Sequence, residues 1–375
     1  LWGMETKIEN DANSASAPQI AVDASGNAIA AWVQIDNGIL SIWTNRYDVT
    51  TGLWDTPAVI ESDSGAGHFA FAPQIGIDAS GNAIAVWRQS NGTVYSIWAN
   101  RYDVTTGLWG MATEIETDNN AGHTAHDPQI GVDASGNAIA VWRQSNGTFV
   151  SIWANRYNVT TGLWGTAALI ENDNNNADNP QIGVDASGNA IAVWHQDSST
   201  VDSIWANRYD VTTGLWGTAV LIEADNALGH DADKPQIGVD VSGNAIAVWR
   251  QSNSTVDSIW ANRYDVTTGL WGTAALVEAD NTLGHDADKP QIGVDVSGNA
   301  IAVWRQFQGT VDSIWANRYD ATTGLWGIAE EIEADNTVGH NAYQAQIGVG
   351  ASGTAISVWH QFDGTDDSVW ANHFK

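Results

Sequence analysis

The sequence predicts an all-β chain, a seven-bladed β-propeller of four-stranded antiparallel blades, on three observations. The dipeptide Gln-Ile recurs at Gln19, Gln74, Gln129, Gln181, Gln236, Gln291 and Gln346, at intervals of 55 residues except for one of 52. Self-similarity at such a period marks stacked supersecondary units. Every unit carries four short stretches of strand-like alternation between Gly, Asn and Asp turn signals, and none has a sustained helical period. The 21 tryptophans divide as three per unit when the N-terminal stretch is counted with the last copy.

In the unit that begins at Gln74, the first strand is Gln74–Asp78 and the second Ala83–Gln89. The third is Ser96–Tyr102 and the fourth Leu108–Glu116. The turns between them read Ala-Ser-Gly-Asn (79–82), Ser-Asn-Gly-Thr (90–93) and Asp-Val-Thr-Thr-Gly (103–107), each with a glycine suited to positive φ. The last copy stops at Lys375, after its third strand, and Leu1–Glu9 repeats the missing fourth. Pairing those two pieces closes the ring and removes two open sheet edges. On this reading residues 1–375 form one domain, and residues 1–18 complete the last blade.

Composition narrows the function. The 44 acidic residues against 14 basic ones give a net charge of -30. Nucleic-acid binding depends on neutralising phosphates, so that charge excludes it and equally disfavours anionic membranes. No apolar run approaches the ~20 residues of a membrane span. The absence of cysteine rules out disulfides, thiolate metal sites and cysteine nucleophiles. An extracellular or bacterial cell-surface setting is compatible with both features.

Two segments resemble known bacterial propeller repeats. Tyr-Asp-Val-Thr-Thr-Gly-Leu-Trp (102–109) is similar to the tryptophan-docking motif of quinoprotein propellers, with a shorter Gly-to-Trp spacing. Val-Asp-Ala-Ser-Gly-Asn (132–137) resembles a hairpin of several families, the NHL type among them. The resemblance covers every blade and implies architecture; no quinone-binding constellation accompanies it.

The repeated polar positions suggest a site. After the second-strand Trp stand Arg88, Arg143, His195, Arg250, Arg305 and His360, with Val33 in the first copy. The fourth strand ends on Glu61, Glu116, Glu171, Glu223, Glu278 and Glu333, and Glu9 belongs to the same series. Linker histidines follow at His68, His123, His230, His285 and His340. The third-strand Trp98, Trp153, Trp205, Trp260 and Trp315 offer indole faces. Cationic donors, carboxylate acceptors and an aromatic platform together suit a sugar. The working site combines Arg88 and Trp98 with Glu61 and His68 of the preceding unit. Ion pairing of Arg with Glu between blades is the competing, ligand-free reading. Trp87 and Trp109 are read as packing, and Arg101 with Asp103 as a turn-stabilising pair.

The expectation is therefore a non-catalytic, lectin-like protein with repeated inter-blade sites that bind glycans, or else a ligand-free scaffold that meets a protein surface. Every candidate recurs five to seven times, whereas catalysis needs one asymmetric set, so the chain reads as not an enzyme. Asp78-Ala-Ser-Gly-Asn82 also departs from the Asp-box spacing of sialidase-like propellers. No cofactor is expected. Calcium on acidic linkers such as Glu223–Asp233 is the weaker alternative to a solvated rim.

Overall fold

The computed structural model describes all residues except 1–5, 10–12, 37, 62–64, 66, 117, 119, 172–174, 198–200, 224–227, 279–281 and 336, and the side chain of Asp36. The described residues form seven antiparallel sheets and no helix, the all-β, seven-bladed propeller class that the repeat predicts. They divide into two compact units, residues 1–174 with three sheets and residues 175–375 with four.

In the first unit, the second sheet is built from Ala70–Ile77, Ala83–Ser90 and Tyr95–Asp103, with two short outer pieces, Leu108–Trp109 and Thr113–Glu114. The single fourth strand expected over 108–116 is thus broken. Both pieces pair with the third strand, Trp109 opposite Tyr102 and Thr113 opposite Ala99. Between them Asn100 Nδ2 donates to Gly110 O at 3.1 Å and to Ile60 O at 2.8 Å. A side-chain amide therefore takes carbonyls at the break and ties the strand to the preceding blade.

The turns follow from their residues. The Asp78 carboxylate accepts from the backbone N–H groups of Ser80 and Asn82 and from Asn82 Nδ2, at 2.8–2.9 Å, and Gly81 sits at φ +93°. Asn82 Oδ1 accepts from Val104 N at 3.1 Å, which links this hairpin to the third–fourth turn. In that turn Asp103 accepts from Thr105 and Thr106, and these backbone donors hold its carboxyl below the ordinary aspartate range. Trp109 packs on Tyr102 with ring centroids 5.6 Å apart.

Alternation on the second strand sets the packing between blades. Ala138, Ala140 and Trp142 face the preceding sheet, and Ile84 and Val86 of that sheet face them. Trp142 is fully buried, as are its equivalents Trp87, Trp194, Trp249 and Trp304. Its Nε1 donates to Gln144 Oε1 at 2.8 Å, and Gln144 Nε2 donates to Glu116 Oε2 of the preceding blade at 2.8 Å. The same relay appears as Trp87–Gln89–Glu61. Burial first of all holds the Glu116 carboxyl above the ordinary glutamate value of 4.5, against hydrogen bonds from Ser96, Asp118 N and Gln144. A carboxyl raised on folding costs stability as pH rises through its folded pKa, and that cost disappears below the unfolded value. Thermal stability should therefore increase from neutral pH toward about 4.5. It should fall again in stronger acid, where lowered carboxyls such as Asp335, at about 2, become protonated. Glu116→Gln, followed by melting across pH, is expected to flatten the rise toward 4.5 and leave the acid limb unchanged.

Glycines admit the closest sheet approach. A Cβ on Gly76 would stand 2.5 Å from Val132 Cγ2 of the next blade, whereas one on Gly348 meets nothing within 4 Å. Gly76→Ala should cost about 1–3 kcal/mol by overpacking. Gly348→Ala at the equivalent position should be near neutral by denaturant unfolding.

The second unit repeats this plan in its first three sheets, each with a broken fourth strand. The last sheet has three strands among the described residues, Ala342–Val349, Ala355–Phe362 and Asp367–Phe374. The expected pairing of the N-terminal stretch with it falls largely on residues 1–5, which lie outside the described residues.

Candidate active site

The expected sugar cluster does not assemble. The six glutamates from Glu61 to Glu333 are buried, from 1% exposure at Glu116 to 8% at Glu61. Glu223 and Glu333 accept from Gln251 and Gln361, as Glu116 does from Gln144. Glu171 and Glu278 are likewise buried, at 3% and 2%. Arg88 follows Trp87 on the strand, so its side chain projects from the opposite face to Trp87 and Gln89, which meet Glu61. Strand alternation alone separates the two groups of the working site. Trp98, Trp153, Trp205, Trp260 and Trp315 are half-buried. Of these, Trp98, Trp153, Trp260 and Trp315 pack against core clusters.

The arginines are engaged by neighbouring aromatic, imidazole and carboxylate side chains. Arg88 lies over Phe71 and Tyr95, at 4.9 and 4.6 Å from the ring centroids, and its Nη1 contacts His126 Nδ1. Arg143 Nε donates to Asp127 Oδ2 at 2.6 Å. Arg250 makes a two-pronged contact with Asp233, 2.6 Å on each prong, and a third bond to Asp257 at 3.0 Å. Burial works to lower the Arg250 pKa, but these carboxylates outweigh it and hold the group above its ordinary value. Arg305 pairs with Asp288 at 3.1 Å and Asp312 at 3.5 Å, and Lys234 reaches Asp288 at 2.6 Å. His360 lies 3.6 Å from Asp367. The linker histidines stand apart from these groups: His123 and His340 bond Asp118 and Asp335, each at 2.7 Å. His68, His230 and His285 are half-buried in the same linker position. The acidic-linker calcium expectation falls partly on residues 224–227, outside the described set.

The fourth blade breaks this pattern. His195 replaces the arginine, and Asp197 stands where the other copies read Ile35, Ser90, Ser145, Ser252, Phe307 and Phe362. Asp202 is the counterpart of Asp257 and Asp312. His195 Nε2 lies 3.3 Å from Asp202 Oδ2 and 3.6 Å from Asp197 Oδ1. These three side chains bring their ligand atoms within 4.8 Å of one another. His195 is 9% exposed, and neither ring nitrogen makes a hydrogen bond of acceptable geometry. The carboxylates are anchored through their backbones: Asp197 N–H donates to Asn176 O at 2.7 Å, and Asp202 N–H to Asp231 Oδ1 at 3.1 Å. Burial raises the Asp202 pKa, opposed by His195 and reinforced by the charges of Asp197 and Asp231. Sequence reading placed His195 in the repeated series and missed both aspartates. The signal was the coincidence of two departures, at 195 and 197, in one copy.

A cavity of about 410 Å³ lies elsewhere, between the last two sheets of the second unit, beside Arg318, Glu331, His373 and Phe374. It adjoins the third strand of the last sheet, whose residues are largely exposed.

The comparisons bear on what such a site belongs to. No protein-family model and no curated protein matches the chain in sequence. Its likeness is to solved structures. Polysaccharide lyase Uly1 superposes with a TM-score of 0.53 at 10% identity, over 99% of this chain and 91% of that one. The intramolecular trans-sialidase from Ruminococcus gnavus gives 0.48 at 11%, over 98% and 95%. The α-L-arabinofuranosidase Arb93A from Fusarium graminearum gives 0.49 at 11%, over 82% and 93%. At these identities the likeness is one of fold. It nevertheless overturns two expectations, that the chain is a non-catalytic lectin-like protein and that it is not an enzyme: the fold it shares with polysaccharide lyase Uly1 is one on which an enzyme is built.

Proposed function

We propose that the chain is a glycan-cleaving enzyme acting on a neutral polysaccharide, with His195, Asp197 and Asp202 as its reaction centre. The observation that carries this reading is the group in the fourth blade, where one imidazole and two carboxylates bring their ligand atoms within 4.8 Å of one another. Where neighbouring blades spend their carboxylates on a fixed arginine, the fourth presents a buried imidazole with two carboxylates and no such cation. A histidine beside carboxylates can take up and return a proton, which hydrolysis of a glycosidic bond requires. Water oxygen bonds to the anomeric carbon as the bond to the leaving sugar oxygen breaks. The water surrenders a proton to the centre, and the leaving oxygen takes one.

Charge favours a neutral substrate. The net charge is -30, and Arg143, Arg250 and Arg305 are already bonded to carboxylates, so an anionic sugar finds repulsion and no spare guanidinium there. The resemblance of the repeats to quinoprotein and NHL blades concerns the scaffold, and an extracellular setting fits a polymeric substrate. Reducing-end release from a panel of neutral polysaccharides tests the reading. The wild type should cleave at least one of them and His195→Ala none, while no release from any would overturn it.

A further inference from the structure

We infer that His195, Asp197 and Asp202 form a binding site for one divalent transition-metal ion of the zinc type. Three independent features of the junction lead there. The first is spacing. Ligand atoms around tetrahedral zinc, each at about 2.0–2.1 Å, stand roughly 3.3–3.4 Å from one another. The imidazole Nε2 lies 3.3 and 3.6 Å from its two carboxylate oxygens. Those separations suit a shared ion better than a direct hydrogen bond, which neither ring nitrogen makes.

The second is charge. In the fifth and sixth blades the same row of the sheet is neutralised by a guanidinium: Arg250 between Asp233 and Asp257, and Arg305 between Asp288 and Asp312. The fourth blade keeps Asp178 and Asp202 in that row, adds Asp197, and replaces the arginine by an imidazole. A divalent ion supplies the positive charge that the substitution removed. The third is burial. A ring 9% exposed, with no hydrogen bond at either nitrogen, is costly unless something occupies it.

The donor set selects the metal. One imidazole with two carboxylates favours zinc over calcium or magnesium, which take oxygen ligands. Three protein ligands leave a fourth position open, the arrangement that lets a bound ion hold a water. The inference deepens the reading of the same residues as a reaction centre and rests on it for the catalytic role alone; binding needs no substrate.

The test is equilibrium dialysis of the full chain, stripped with EDTA, against buffered zinc chloride. One equivalent should bind tightly in the wild type and in Asp257→Asn. Affinity should fall by at least about tenfold in His195→Ala and in Asp197→Ser, since even outer-shell changes cost that much. Asp197→Ser restores the residue of other copies, so its folding is not at risk, and melting curves confirm it. Equal zinc binding in wild type, His195→Ala and Asp197→Ser would overturn the inference, as would no binding by the wild type. The two readings fail separately. Zinc bound without any glycan cleavage leaves the metal site and removes the enzyme; cleavage that persists after EDTA, without zinc binding, does the reverse.

Discussion

Replacing His195 by arginine is expected to abolish cleavage, by about a hundredfold or more, while making the protein slightly more stable. Both effects come from one exchange. In the fifth blade Arg250 bonds Asp233 twice at 2.6 Å and Asp257 at 3.0 Å. An arginine at 195 meets the same two aspartate positions, Asp178 opposite it in the sheet and Asp202 on the next strand. It removes the imidazole on which proton transfer depends, a contribution worth roughly 10²–10⁴ in rate. It also places a permanent positive charge beside Asp202, and about 1 kcal/mol so gained raises the melting temperature of a large domain by a few degrees. Opposite movement of activity and stability distinguishes a functional substitution from random divergence between copies. If H195R lowered both together, the histidine would be a packing residue.

The largest effect on stability is expected from Trp142→Ala, at about 3–5 kcal/mol. Trp142 is fully buried against Ile84, Val86 and Ile97 of the preceding sheet. Removing the indole opens a cavity between two sheets, beside Ile84, Val86 and Ile97, that these side chains cannot fill. It also frees Gln144 Oε1, leaving the amide bonded only through its Nε2 to Glu116. A buried amide oxygen deprived of its donor adds a penalty of about 1–3 kcal/mol when it cannot turn to water. Trp142→Phe keeps most of the apolar volume and loses only the donor, so it should cost less. Chemical denaturation of both variants separates the two contributions, and equal losses would show that the hydrogen bond outweighs the packing.

Much of this architecture was legible in the residues. The period of the Gln-Ile dipeptide located every blade. The Asp, Gly and Asn of the hairpin named its turn, because each serves one local purpose, as carboxylate acceptor, positive-φ residue and second acceptor. The break in the fourth strand was not legible, since it depends on where the Asn100 amide reaches across to Gly110 and Ile60. The side-chain grouping expected for the candidate site was not legible in the sequence. Glu61 and Arg88 were grouped by their place along the chain, but alternate side chains point to opposite faces, and Gln89 takes the glutamate. Asp202 could not be singled out from Asp257 by sequence pattern alone. What distinguishes them is the cation beside one and the imidazole beside the other.

That distinction gives the most direct measurement: product release from a cleaved neutral polysaccharide by Asp202→Asn and Asp257→Asn, assayed side by side. The two aspartates occupy the same position in successive blades, so any general damage to the scaffold should appear in both. The account predicts that Asp202→Asn loses cleavage and that Asp257→Asn retains it. Equal activity in the two variants, or a loss confined to Asp257→Asn, would contradict a reaction centre in the fourth blade.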